Sequence, residues 1–130
     1  MPSHAIMALL LALFVYTPDE TVRRYGAADR SWHLVELRGS AFEAQATIAF
    51  PRRNVITGQA PCNRYTSSNI TPYPWFDAGP IAATRMACPD LADESAFFKA
   101  LEEATQAIVE GDTLTFSDET STLLIFKARD

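Results

Sequence analysis

Two histidines, two cysteines and sixteen acids are the residues whose chemistry this chain could use. His33 stands in an alternating segment between Trp32 and Leu34, and His4 lies in an apolar leader. A triad-type hydrolase would need His33 as the base beside a serine or cysteine. No serine sits in a Gly-x-Ser-x-Gly elbow, and no nucleophile is expected near a base, so His33 reads as a strand-face residue. Gly26, Gly39, Gly58, Gly79 and Gly111 are too widely spaced for a phosphate-cradling loop. Glu102/Glu103 and Asp93/Glu94 are adjacent carboxylates on a helical segment. Neighbours one residue apart point in different directions, so a solvated acidic face is expected rather than an acid–base pair. Two histidines and two cysteines are few for a zinc site of the usual kind. The expectation is a non-enzyme, with no catalytic residues, cofactor or metal.

Cys62 and Cys88 are 26 residues apart and do not form a C-x-x-C pair. An even count of two fits one disulfide if the protein is exported, and two free buried thiols if it is not. A redox-active pair is the third reading, with only Arg64 and Arg85 nearby to stabilise a thiolate. A disulfide closing this loop would contribute about 3–4 kcal/mol in the chain-entropy model.

At 130 residues the chain makes one domain, with or without a targeting segment. It is 48% hydrophobic and 21% charged, an ordinary globular composition. Its net charge of −5 disfavours nucleic acid as a partner, which would require an excess of cations to displace counterions. The charge is uneven. Asp90 to Glu119 holds nine acids and one base, while Arg23 to Arg85 holds eight arginines and four acids. Two faces that pair with each other are the simpler expectation; a polarised surface that orients a partner is the sharper one.

Ala5 to Tyr16 is a run of twelve uncharged, mostly apolar residues. It is shorter than the roughly 20 residues of a membrane-spanning helix and resembles the apolar part of an export signal. No stable membrane span is expected, and no cysteine follows to accept a lipid. Residues 1–22 are therefore read as signal and linker, and 23–130 as the domain, in a periplasmic or secreted protein. A buried N-terminal helix, an uncleaved anchor and a mis-assigned start are the alternatives.

The elements that must position these residues are mixed. Thr17 to Gly26 reads as a short helix or linker, with Pro18 in its first turn and Gly26 as its stop. Alternation places Trp32, Leu34 and Glu36 on one strand face and His33, Val35 and Leu37 on the other. Ala46 to Phe50 reads as a strand ended by Pro51, forming a hairpin with Val55 to Gly58. Cys62 to Ser67 continues as a strand. Asn69 to Pro80, with three prolines, reads as an irregular loop or edge. Asp90 to Glu110 reads as the main helix, capped by Asp90 and stopped by Gly111, with Phe97, Phe98, Leu101, Ala104, Thr105 and Ile108 in one stripe. Thr113 to Ser117 and Ser121 to Lys127 form a closing hairpin with Leu114, Phe116, Leu124 and Phe126 on one side. The class is α+β.

Cys62-Asn63-Arg64-Tyr65, then Thr84-Arg85-Met86-Ala87-Cys88-Pro89, then Glu94, Phe97 and Leu101, resemble the META-domain (HslJ-like) family. Trp32 and Leu34, Phe50, Val55 and Gly58, and Gly111, Leu114 and Phe116 match its other marks, so the resemblance covers about residues 30 to 128. Pro61 replaces the usual glycine before Cys-Asn, and Thr66-Ser67 replaces a glycine and serine. The resemblance implies a curved antiparallel sheet, like a cracked barrel, around one main helix. It also implies an envelope or secreted protein linked to stress response, without catalytic residues.

Asn63 is expected to bond backbone beside the cysteines, and Arg64 and Arg85 to bond loop carbonyls or helix acids, or else to form an anion or partner site. The function expected is binding of an unidentified protein partner by a monomer, with Tyr73, Trp75 and Phe76 as the candidate surface. The alternative is a carrier of a lipid or other apolar ligand in a cavity between sheet and helix, lined by the eight phenylalanines.

Overall fold

The computed structural model describes residues 17–129; the apolar run expected to be an export signal lies outside them. The strands are β1 (Trp32–Leu37), β2 (Ser40–Ala41), β3 (Thr47–Arg52), β4 (Val55–Gln59), β5 (Arg64–Ser68), β6 (Ala82–Ala83), β7 (Gln106–Glu110), β8 (Thr113–Ser117) and β9 (Thr122–Ala128). Among the described residues the α-helix is α1 (Leu91–Glu103), between β6 and β7 in the chain. The sheet is antiparallel in the order β6-β5-β4-β3-β1-β9-β8-β7, with β2 paired to β1. The class is α+β, with an open sheet and one main helix.

Period-two burial makes the inner face. Ile48 and Phe50 of β3, Ile56 of β4, Leu114 and Phe116 of β8, and Leu124 and Phe126 of β9 are all buried. The closing hairpin has the expected pairing, Leu114 opposite Phe126 and Phe116 opposite Leu124. In β1 the alternation slips. A register shift against β9 falls between Leu34 and Glu36, so Trp32 and Leu34 face inward, while Leu37 also packs against the core instead of facing away. Strand β3 runs through Pro51 rather than stopping there. Its register with β4 shifts between Ala49 and Arg52, and Pro51 is exposed, a position that asks no ladder hydrogen bond of its missing N–H.

The helix covers the inner face through Phe97, Ala100 and Leu101, all fully buried. It is shorter than its apolar stripe predicts. Ala104 turns to extended backbone at φ −65°, ψ 134°, and residues 106–110 are a strand. Gly111, expected to stop the helix, lies instead in the two-residue turn between β7 and β8, at φ 58°. Asp90 precedes the helix but its side chain makes no cap hydrogen bond.

The other edge of the sheet is closed by loop. Phe76 N–H donates to the Thr105 carbonyl and Ala107 N–H to the Pro74 carbonyl, both at 2.9 Å, so residues 74–76 pair with the start of β7. The segment from Asn69 to Pro80 is irregular, as its prolines require, yet it covers an edge that would otherwise be free.

Among the described residues two ion pairs join the charged halves. Arg30 bonds Asp112 at 2.6 Å, and Arg38 bonds Glu103. Arg30 is half-buried and the other three side chains are exposed, and surface pairs of this kind contribute little stability individually.

Residues 17–21 pack on the domain, followed by a 3-10 helix over Val22–Tyr25 that ends at Gly26 with φ 116°. Its start is later than Pro18. The buried Asp19 accepts from Thr21 N–H at 2.9 Å and from Thr21 Oγ1 at 2.6 Å. Its second oxygen has no hydrogen bond but faces Arg23 at 3.7 Å. Burial pulls this carboxyl's pKa up; the Thr21 bonds and the Arg23 and Arg53 charges outweigh it and hold the group below the ordinary carboxylate range. A depressed folded pKa stabilises the protein above the unfolded value of about 3.9, and the benefit is lost as pH falls through the folded value. Chemical denaturation followed from pH 7 to pH 2.5 should therefore show a stability loss below about pH 4 that is smaller in Asp19→Asn.

Candidate functional site

Cys62 and Cys88 are joined in a disulfide, with Cα atoms 5.6 Å apart. It ties the segment entering β5 to the segment entering α1. Reduction should lower stability by about 3.5 kcal/mol for a loop of 26 residues, measured as a shift in the urea midpoint with and without reductant.

Beside the disulfide lies a buried polar network. Glu94, on the first turn of α1, is 5% exposed. Its Oε1 accepts from the backbone N–H groups of Cys62 and Asn63 at 2.9 and 2.8 Å, and its Oε2 accepts from Asn63 Nδ2 at 2.7 Å. Asn63 Nδ2 also donates to the Met86 carbonyl at 2.9 Å. Asn63 Oδ1 accepts from Met86 N–H at 2.7 Å and from Thr84 Oγ1 at 2.9 Å. Two side chains thus fasten three segments: 62–63, 84–86 and the helix. The expectation that Asn63 bonds backbone beside the disulfide is met, and Glu94 is the member whose role the sequence reading missed.

This network holds up an open cleft of about 460 Å³. One wall is Ile81 and the run from Ala83 to Ala87; the other is the helix row Leu91, Glu94, Phe98 and Glu102, at helical spacings of three and four. Met86 and Leu91 on this cleft are 67% and 44% exposed, uncommonly open for large apolar side chains so close together. A second open cleft of about 510 Å³ runs over β4, β5 and β6 and is lined by Arg64 and Thr66, sharing Ala83 and Thr84 with the first.

Arg64 and Arg85 are exposed, one in each cleft. Neither guanidinium bonds a loop carbonyl or a helix acid among the described residues, which removes the structural role expected for them. Tyr65 is core: its hydroxyl donates to the Thr47 carbonyl at 2.7 Å, and burial pushes its pKa far above the ordinary tyrosine range.

The aromatic loop divides. Phe76 is 2% exposed and packs against Phe116 at 4.8 Å, so it is a core residue and not part of a partner surface. Tyr73 is half-buried, stacked on Tyr25 at 4.6 Å, with its hydroxyl accepting from Val109 N–H at 3.3 Å. Only Trp75 of the three is largely exposed.

Five of the phenylalanines expected to line a ligand cavity pack on one another. Phe76, Phe116, Phe126, Phe97 and Phe98 form a chain of ring contacts that Tyr65 joins at Phe97 and Phe98. These rings fill the space between helix and sheet.

Ser31 Oγ lies 3.0 Å from His33 Nε2, closer to a base than the sequence indicated for any nucleophile. The pair is exposed, and no carboxylate among the described residues bonds the other ring nitrogen. A dyad without an orienting third group lacks what a triad uses to fix its imidazole. Among the described residues no group of three His, Cys, Asp or Glu is placed to hold a metal, and no helix is long and apolar enough to cross a membrane.

Comparison with solved structures shows the same fold elsewhere. A protein from Burkholderia xenovorans studied by NMR matches with TM-score 0.66 and 23% identity, over 88% of this chain and 93% of that one. A DUF4847 family protein from Bacteroides vulgatus, a crystal structure, matches with TM-score 0.66 and 13% identity, over 84% of this chain and 97% of that one. No curated protein matches the chain. The META domain model matches residues 26–130, the whole region that carries the disulfide, the Asn63–Glu94 network and the cleft; the chain belongs to the META domain family.

Proposed function

We propose that this chain is a non-catalytic protein of the periplasm or exterior that acts by binding a protein partner, in stress response or envelope maintenance. The observation that carries the reading is the cleft with Met86 and Leu91 exposed on a rigid base. Flexible apolar side chains raised on a fully hydrogen-bonded, disulfide-tied platform suit recognition of another chain. The disulfide fits an oxidising compartment. Glu94 is the buried carboxylate nearest the cleft, and its hydrogen bonds all serve to hold backbone and Asn63. The proposed partner surface therefore moves from the Tyr73–Phe76 loop to Met86 and Leu91. The carrier reading draws less support, because aromatic rings occupy the space it requires.

A photo-crosslinking amino acid at position 86, in cells making the full chain, should give one discrete adduct. Excess purified protein should compete for it, and purified Met86→Asp should not. No adduct at 86, or equal competition by both proteins, would count against the reading. Met86 is exposed, so Met86→Asp should leave stability within about 0.5 kcal/mol of the parent, read by urea denaturation.

A further inference from the structure

We propose that the end of the domain where residues 17–25, 52–54 and 69–73 meet docks on a membrane surface of anionic phospholipid. The contact is with the surface and is not a span. It goes beyond the partner-binding reading and shares no residue with the cleft.

Three hydrogen bonds bring these segments together. Arg53 Nη1 donates to the Thr17 carbonyl at 2.7 Å. Asn69 N–H donates to the Asn54 carbonyl at 3.3 Å, which sets the loop after β5 against the β3–β4 turn. Tyr73 N–H donates to the Glu20 carbonyl at 2.7 Å, which returns the same loop to the N-terminal segment. The contacts close a ring, so residues 17–20, 53–54 and 69–73 lie at one end of the molecule.

That end is apolar and basic together. Ile70 is 75% exposed, the most open large apolar side chain among the described residues. Tyr25 is also exposed and stacks on Tyr73. An aliphatic side chain beside tyrosines suits the boundary between headgroups and acyl chains. Arg24 and Arg52 are exposed and have no hydrogen bond or ion pair among the described residues. Arg23 and Arg53 join them, bonded to the Phe50 and Thr17 carbonyls but still charged. Residues 17–25 and 50–54 thus hold four arginines and two acids, in a chain of net charge −5. Asp19 is buried and faces Arg23, which leaves Glu20 as the exposed acid of the two. Asp77 is the next acid after the loop. The local surplus of positive charge attracts anionic headgroups.

The apolar run decides the occupant. Ala5 to Tyr16 ends at the residue before Thr17. The Thr17 carbonyl is already bonded to Arg53, and Asp19, Thr21 and Val22 are buried, so little free chain separates the run from the packed domain. Whenever that run enters a membrane, as an export signal or as an uncleaved anchor, this end is the one brought against the headgroups.

The test is flotation of the full chain with vesicles of phosphatidylcholine, alone or with about one third phosphatidylglycerol. Binding should be about tenfold tighter or more to the anionic vesicles at low salt, and the difference should shrink at about 0.5 M NaCl. Arg24→Glu/Arg52→Glu should lose that difference and still bind phosphatidylcholine as the parent does. Arg24→Gln/Arg52→Gln, which removes the charges without reversing them, should move in the same direction. Ile70→Asp should weaken binding to both vesicles. All three side chains are exposed, so each variant should keep the parent's urea midpoint. No binding, equal binding to both vesicles, or parent-like binding of the arginine variants to anionic vesicles would overturn the proposal. Competition by soluble glycerol phosphate at matched ionic strength would reassign the arginines to a free anion. A discrete protein adduct from a photo-crosslinking amino acid at position 70 in cells would reassign this end to a protein. None of these outcomes bears on the crosslinking at position 86, which decides the partner-binding reading separately.

Discussion

Glu94→Ala should destabilise the protein by about 4 kcal/mol, although a helix-surface acid usually tolerates alanine with little change. The carboxylate accepts three N–H groups, from Cys62, Asn63 and Asn63 Nδ2. Each donor left buried without a partner costs about 1–3 kcal/mol, and water entering the vacated space recovers part of that. Alanine also fits α1 better than glutamate by only a few tenths of a kcal/mol, too little to offset the loss. Glu94→Gln is the sharper probe. Its carbonyl can keep the two backbone donors, but its amide then points N–H at Asn63 Nδ2, donor against donor. An intermediate loss of about 2 kcal/mol is expected. A double-mutant cycle with Asn63→Ala separates the network from its parts. Asn63 also holds Thr84 and Met86, so the two losses should fall short of additive by about 1 kcal/mol or more. Strict additivity in urea denaturation would mean that the two side chains do not act as one clasp. Partner binding should weaken along with stability, because the same clasp holds the segment that carries Met86.

Much of this clasp was legible in the sequence, and the rest was hidden for a physical reason. Asn63, Thr84 and Met86 stand out by resemblance, and Cys62 and Cys88 by count. Glu94 belongs to the same helical row as Phe97 and Leu101, three and seven residues before them, so an acid on the apolar stripe was the available signal. The resemblance includes Glu94 but not its role as acceptor, because acids dominate the whole segment from Asp90 to Glu119 and residue type does not single out the buried one. The expected helix overruns the observed one by seven residues for a related reason. Ala104 and Ile108 continue the 3.6-residue stripe after Leu101, while Ala107 and Val109 equally fit a strand. The Gly111-Asp112 pair between two alternating runs was the hairpin signal that decides for the strand. Phe76 shows the limit of composition. Aromatics among prolines resemble an interface, and only the pairing of residues 74–76 with β7 turns that ring inward onto Phe116.

Gly58→Ala should cost about 4 kcal/mol or more, which in a domain of this size lowers the melting temperature by about 15 °C. Nothing in its backbone demands glycine by conformation; the demand comes from proximity. Gly58 on β4 pairs directly with Tyr65 on β5. A Cβ there would stand 2.1 Å from the Thr47 carbonyl oxygen and 2.6 Å from both Cε1 and the hydroxyl of Tyr65. None of these atoms can yield cheaply. The Thr47 carbonyl belongs to β3 and accepts the Tyr65 hydroxyl at 2.7 Å. The Tyr65 ring is held edge-on by Phe97 at 5.6 Å and Phe98 at 5.4 Å, so swinging it away disturbs the packing of α1. The methyl must therefore either part β3 from β4 or break the buried hydroxyl bond and leave the carbonyl unpaired. Tyr65→Phe alone removes that bond without adding bulk and should cost only about 1–2 kcal/mol. Comparing the two by urea denaturation distinguishes crowding from hydrogen bonding. If Gly58→Ala costs no more than Tyr65→Phe, the strands have room to spread, and the close approach of β4 to Tyr65 is not what ties the strand bearing Arg64 to the helix beneath it.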